Sequence, residues 1–116
     1  MKHRIIYTKR SESDLRALHS WASQGGETVA DRWVSRFLSE ITALKDYPER
    51  GRPAPDDPYF SIPIRQILIG KGRGQHRVLY TIRGDEIWIL HLRHSMRRYL
   101  HESPDEPGLD APGDET

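Results

Sequence analysis

Seven apolar residues between Ala30 and Leu44 recur with a helical period and run straight into a proline block. That junction constrains the fold more than any other feature of the chain. Ala30, Trp33, Val34, Phe37, Leu38, Ile41 and Leu44 sit at i, i+3, i+4, i+7, i+8, i+11 and i+14. This spacing predicts a helix whose broad apolar stripe faces a core. Thr28 with Asp31 marks its start, and Pro48 and Gly51 mark its end. Five prolines between residues 48 and 63 exclude a regular element there and predict a loop crossing the surface.

The flanking segments supply the rest. Arg4–Thr8 is β-branched and aromatic and predicts a short strand. Ser11 and Asp14 predict the start of a first helix, with Leu15, Leu18, Trp21 and Ala22 on its apolar face. Gln24-Gly25-Gly26 ends it. After the loop come three strand-like runs, Ile64–Ile69, Arg77–Ile82 and Ile87–His94. The last two are joined by Arg83-Gly84-Asp85-Glu86, whose glycine suits a tight hairpin. Strands linked so briefly are antiparallel. The expected order is β-α-α-β-β-β, an α+β fold with two N-terminal helices on one face of a mainly antiparallel sheet. Val78, Tyr80 and Ile82 are bulkier than Arg77, Leu79 and Thr81, so the first set should face the helices. The opposite sheet face is then free to be wet and lined by basic residues, with Arg77 toward solvent.

The chain has 116 residues, enough for one domain. Its longest apolar run, Ile87–Leu90, is far short of the ~20 residues of a membrane helix. With no cysteine, disulfides, thiolate zinc sites and cysteine nucleophiles are excluded. The basic N-terminus is followed only by Ile5-Ile6-Tyr7, too little for a signal peptide, so the expected location is the cytoplasm. Six of the 17 acids, and none of the 18 lysines and arginines, lie in residues 102–116. Residues 1–101 therefore form a single domain of 18 bases against 11 acids, a charge of +7. Such a domain favours polyanions or acidic partners. Residues 102–116 hold too few apolar side chains to fold and read as a disordered acidic tail.

Arginine is the cation best matched to phosphate, because its planar fork donates two parallel hydrogen bonds. Arg65, Arg77, Arg93, Arg97 and Arg98 read as one cluster on the sheet and at its end. Gly70-Lys71-Gly72-Arg73-Gly74 lies between strands, not at a helix start, so it is not a phosphate cradle of the helix N-terminal kind. It reads equally as a loop presenting Lys71 and Arg73 or as a plain solvated hairpin loop. His91 and His94 stand three apart on a strand, point to opposite faces and cannot share a metal. No metal and no cofactor is expected. His94, beside Arg97, Arg98 and Tyr99, has the chemistry of an acid–base group or of a locally bonded strand-end histidine.

Taken together, the strand–helix–helix–three-strand order, Tyr47-Pro48-Glu49-Arg50-Gly51-Arg52-Pro53, His76–Tyr80, Gly84–Ile87, and Ile89–His94 followed by Arg97-Arg98 resemble the RelE/ParE superfamily of type II toxins. The resemblance spans residues 4–100 and is closer to the ParE-like, plasmid-stabilisation branch, where the ending is usually His-Gly-x-Arg and Ser95 replaces the glycine here. It implies a growth-inhibiting toxin neutralised by a cognate antitoxin, whose target is DNA gyrase in the ParE-like branch. In the RelE-like branch the activity is metal-independent, ribosome-dependent cleavage of mRNA. Carried over by position, the target-binding or nucleic-acid-binding residues are Arg65, Lys71, Arg73, Arg77, His94, Arg97 and Arg98. In the nuclease alternative Arg77 would stabilise the scissile phosphate, Arg98 would assist, and Tyr99 would stack on a base or exchange a proton. In strand Ile64–Ile69, Arg65 and Gln66 stand where nuclease members place a lysine pair or a glutamate.

Overall fold

A computed structural model describes residues 3–54, 60–70 and 75–94 of the chain. The elements are β1 (Arg4–Tyr7), α1 (Lys9–Ala22), α2 (Glu27–Thr42), β2 (Arg52–Pro53), β3 (Arg65–Ile69), β4 (His76–Arg83) and β5 (Glu86–His94). They form an α+β fold with one five-stranded sheet in the order β1-β5-β4-β3-β2. β1 runs parallel to β5, and all other neighbours are antiparallel.

Helix α1 begins three residues earlier than the Ser11 signal predicts. The cap is Thr8, whose side chain accepts from the Ser11 amide at 3.1 Å. The same hydroxyl donates to the Ile89 carbonyl at 2.8 Å, so one buried side chain caps the helix and ties β1 to β5. Helix α2 starts at Glu27, with Gly26 rather than Thr28 at its cap and no side-chain capping bond. Gly26 adopts φ 107°, a conformation in which any Cβ is strained. The proline-rich stretch also departs from a plain loop. It holds a 3₁₀ turn at Pro48–Arg50 and the two-residue strand β2. Proline is tolerated in β2 because the strand lies at the sheet edge.

The α2 period is realised almost fully. Phe37, Ile41 and Leu44 are completely buried against Val78, Tyr80, Ile67, Ile69, Ile87 and Ile89, with Leu18 from α1. Truncating such a side chain, Phe37 for example, costs on the order of 3–5 kcal/mol. Leu38 and Trp21 lie at the stripe margins and stay partly exposed, Trp21 at 48%. Trp21 meets Trp33 edge-on, with ring centroids 6.1 Å apart. The β4–β5 turn places Gly84 at φ 62° with no positive φ at Asp85, the φ pattern of a type II′ hairpin.

The opposite sheet face is largely covered rather than wet, which corrects the expectation from alternation, although Leu68 on it stays 48% exposed. Ala54, Ile64, Leu79 and Leu90 form a second buried cluster there, flanked by Phe60, Ile62 and Trp88. The chain around β2 folds back over the sheet and supplies this cover. A register shift between Leu79 and Tyr80 leaves Leu90 bulged out of β5 and places it in this cluster. No described helix is long and apolar enough to cross a membrane.

Candidate target-binding surfaces

Strand β4 carries the chemistry on both of its faces. On the face away from the helices, Arg77 is register partner to Leu68 on β3 and to Arg93 on β5. Arg77 is only 5% exposed and Arg93 8%. Arg77 Nη1 donates to Gln66 Oε1 at 3.0 Å. Arg77 therefore does not project into solvent, contrary to the expectation from the strand pattern. The alternation places it on the correct face, but that face is covered. Like charges at directly opposed positions of a strand pair disfavour each other, and Gln66 Oε1 supplies Arg77 with an acceptor.

Arg65 belongs to the other face, so the expected single arginine cluster is split. It is register partner to Tyr80. Its Nη1 donates to the Gly51 carbonyl at 2.6 Å, holding the turn that follows Pro48. Lys71, Arg73, Arg97, Arg98 and Tyr99 lie outside the described residues, as does the acidic segment 102–116. The backbone of His94 ends β5 in register with His76.

On the helix-facing side, Tyr80 crosses the core to the same turn. Its hydroxyl donates to the Pro48 carbonyl at 2.7 Å and accepts from the Gly51 amide at 2.9 Å. Burial raises the Tyr80 pKa above its ordinary value, opposed by the Gly51 hydrogen bond and the nearby Arg65 and Arg50 charges. Gly51 is required by space. A Cβ there would lie 2.5 Å from the Tyr80 hydroxyl and 2.6 Å from the Gln66 carbonyl. From outside, Arg50 Nη2 reaches Glu40 Oε1 of α2 at 2.7 Å.

The turn so fixed forms one wall of an open, mostly apolar cleft of about 750 Å³, lined by His3, Asp46, Tyr47, Arg50 and Ile82 among others. Tyr47 is 71% exposed at its rim. Reasoning from residue types did not single out this cleft. The usable signal was the Tyr47–Pro53 motif, whose Pro48 and Gly51 are the two anchor points of Tyr80.

This arrangement of sheet and helix pair recurs in known proteins. The family described as the ParE toxin of type II toxin–antitoxin system, parDE, matches residues 5–99. The chain belongs to the ParE toxin family. It is similar to Toxin RelE2 of Caulobacter vibrioides, 25% identical over 93 residues that cover 80% of this chain and 96% of the relative. Among solved structures, the chromosomal ParDE TA system from P. aeruginosa superposes with a TM-score of 0.64 at 18% identity, covering 80% of this chain and 96% of that one. A free-state double mutant of E. coli toxin RelE superposes with a TM-score of 0.51 at 12% identity, covering 83% and 86%. At these identities the two structures establish the shared fold. As a ParE-family toxin, the chain is one half of a pair whose other half is a cognate antitoxin.

Proposed function

We propose that this ParE-family toxin arrests growth by binding a protein target, DNA gyrase, and that its cognate antitoxin blocks this binding. The observation that carries the reading is the engagement of Arg77 and Arg65 by the fold itself. Arg77 is buried and bonded to Gln66, and Arg65 is bonded to the Gly51 carbonyl. A nuclease cation has to meet the scissile phosphate where charge develops, whereas these two organise the sheet and the turn. The rigid turn and its cleft offer a preformed surface of the kind a protein partner engages with little loss of conformational freedom. The choice of gyrase rests on the ParE branch to which the sequence conforms.

A second reading has one specific observation in its favour. Arg77 and Arg93 are cross-strand partners with Gln66 beside them, a set able to hold an anion if the covering segment moved. This is the ribosome-dependent mRNA endonuclease of the RelE type. The purified toxin, assayed in parallel for inhibition of gyrase supercoiling and for ribosome-programmed mRNA cleavage, separates the two. Inhibition in the first assay alone supports the proposal, and cleavage in the second alone replaces it.

A further inference from the structure

The hairpin of α1 and α2 brings together three side chains that the sequence keeps apart. His19 lies in the last turn of α1, and Glu27 and Asp31 lie one turn apart at the start of α2. The 3₁₀ turn Ser23–Gly25 and Gly26 at φ 107° reverse the chain between them. One ligand atom from each of the three residues lies within 4.8 Å of the other two. His19 Nε2 stands 3.3 Å from Asp31 Oδ1.

We propose that His19, Glu27 and Asp31 form a divalent-metal site that takes a zinc-class ion and clamps α1 to α2. The donor set is one imidazole nitrogen and two carboxylate oxygens. Imidazole favours zinc, nickel or copper over calcium and magnesium, which prefer all-oxygen shells. Zinc binds such atoms at about 2.0–2.2 Å, which places two donors on one ion roughly 3.3–3.5 Å apart in a tetrahedral shell. The His19–Asp31 pair already has that spacing. Glu27 and Asp31 are four apart on one helix, neighbours on its surface. Both carboxylates are on exposed residues, so Glu27 can close the remaining gap by side-chain rotation. The open side of the site leaves room for water to complete the shell.

A histidine at one helix end facing carboxylates at the next helix start also suits the two helix dipoles. That account explains the His19–Asp31 contact. It leaves the repulsion between the Glu27 and Asp31 carboxylates, neighbours on one helix face, without a full counter-charge. An ion removes that repulsion and cross-links two helices joined by a glycine-containing turn. The hairpin it would stiffen also carries the Trp21–Trp33 contact.

The test uses the full chain without a histidine tag, stripped with EDTA and titrated with ZnCl₂ by calorimetry and by thermal melting. One ion per chain and a higher melting temperature are expected. His19→Ala and Asp31→Asn should each weaken binding at least about tenfold, since even outer-shell changes at metal sites cost 10–100-fold. His3→Ala should not. Cobalt(II) absorption gives a second readout, with the imidazole-dependent visible band lost in His19→Ala. Circular dichroism without metal checks that the variants fold, and Glu27→Gln replaces any that does not. Absence of saturable binding to the wild type, or unchanged affinity in His19→Ala, overturns the site.

Discussion

The Tyr80 hydroxyl donates to the Pro48 carbonyl from the middle of the sheet, 32 residues away in sequence, at 2.7 Å. Through this bond and the one it accepts from Gly51, a central strand dictates the shape of an exposed turn. Tyr47, the most exposed large aromatic among the described residues, sits immediately before that anchor point. A core residue thereby sets the geometry of a surface cleft.

Tyr80→Phe keeps the ring in the core and removes both bonds. Leaving buried partners unsatisfied costs about 1–3 kcal/mol, to be measured by urea unfolding. Gly51→Ala should cost at least as much, because its methyl group meets the Tyr80 hydroxyl and the Gln66 carbonyl. The double variant should be less destabilised than the sum of the two single variants, since one of the two clashes disappears with the hydroxyl. Strict additivity would show that the two residues do not share this contact.

Asp14 replaces a missing strand neighbour. β1 ends at Tyr7, and beyond it the Asp14 carboxylate accepts from the Leu92 amide at 2.9 Å and from Arg10 Nε at 3.2 Å. Its Oδ2 also lies 2.5 Å from His91 Nδ1. Asp14→Ala takes the acceptor from the Leu92 amide on an otherwise open edge. Hydrogen exchange at Leu92 should accelerate by at least about tenfold, the equivalent of roughly 1.4 kcal/mol, while exchange at Val78 changes less. Equal acceleration at both amides would indicate global rather than local loss.

The two helices and strands β1, β3, β4 and β5 were legible because their residue patterns are clean, whereas β2, inside the proline-rich stretch, was not. Phe37 and Ile41 fall where a 3.6-residue period puts them, and Val78 and Tyr80 where alternation does. Alternation tells which residues share a face, but not what covers it. Arg77 lies buried on the face that Ala54 and Ile64 help to cover, and the prolines in that stretch read as an exposed loop. The split between Arg65 and Arg77 follows from alternation within β3, which puts Arg65 on the face of Ile67 and Ile69; grouping the arginines by charge alone overlooked it. The Thr8 cap was missed because Ser11 is an equally good capping residue. Tertiary bonds from Thr8 to Ile89 decide between them. The Tyr80 anchor was out of reach because Tyr80 reads as ordinary core until its hydroxyl partners are placed.

Burial pushes the Tyr7 phenol up from its ordinary value of 10.0 to about 12, and burial also raises Tyr80. In the unfolded chain both ionise near pH 10. Between pH 10 and 12 the unfolded state therefore binds fewer protons than the folded one, and stability falls as pH rises. Urea midpoints should be flat below pH 9 on account of these groups and drop across that window. Tyr7→Phe should make the drop shallower. Tyrosinate absorbance that rises fully near pH 10 in the folded protein would contradict the burial of both phenols.

Arg77→Lys and Arg77→Gln distinguish a target-binding toxin from a nuclease at the residue that both readings must explain. Lysine keeps the charge but loses the fork that reaches Gln66, and glutamine keeps polarity without charge. If Arg77 organises the sheet, both variants lose stability, and growth inhibition falls only as far as the folded fraction does. Gyrase inhibition per folded molecule, measured by supercoiling, then stays within about threefold of wild type, under ~0.7 kcal/mol. If Arg77 instead stabilises a scissile phosphate, mRNA cleavage per folded molecule falls by about 10²–10³ in Arg77→Gln. Measuring the folded fraction by near-ultraviolet circular dichroism alongside each assay keeps loss of fold from passing for loss of function.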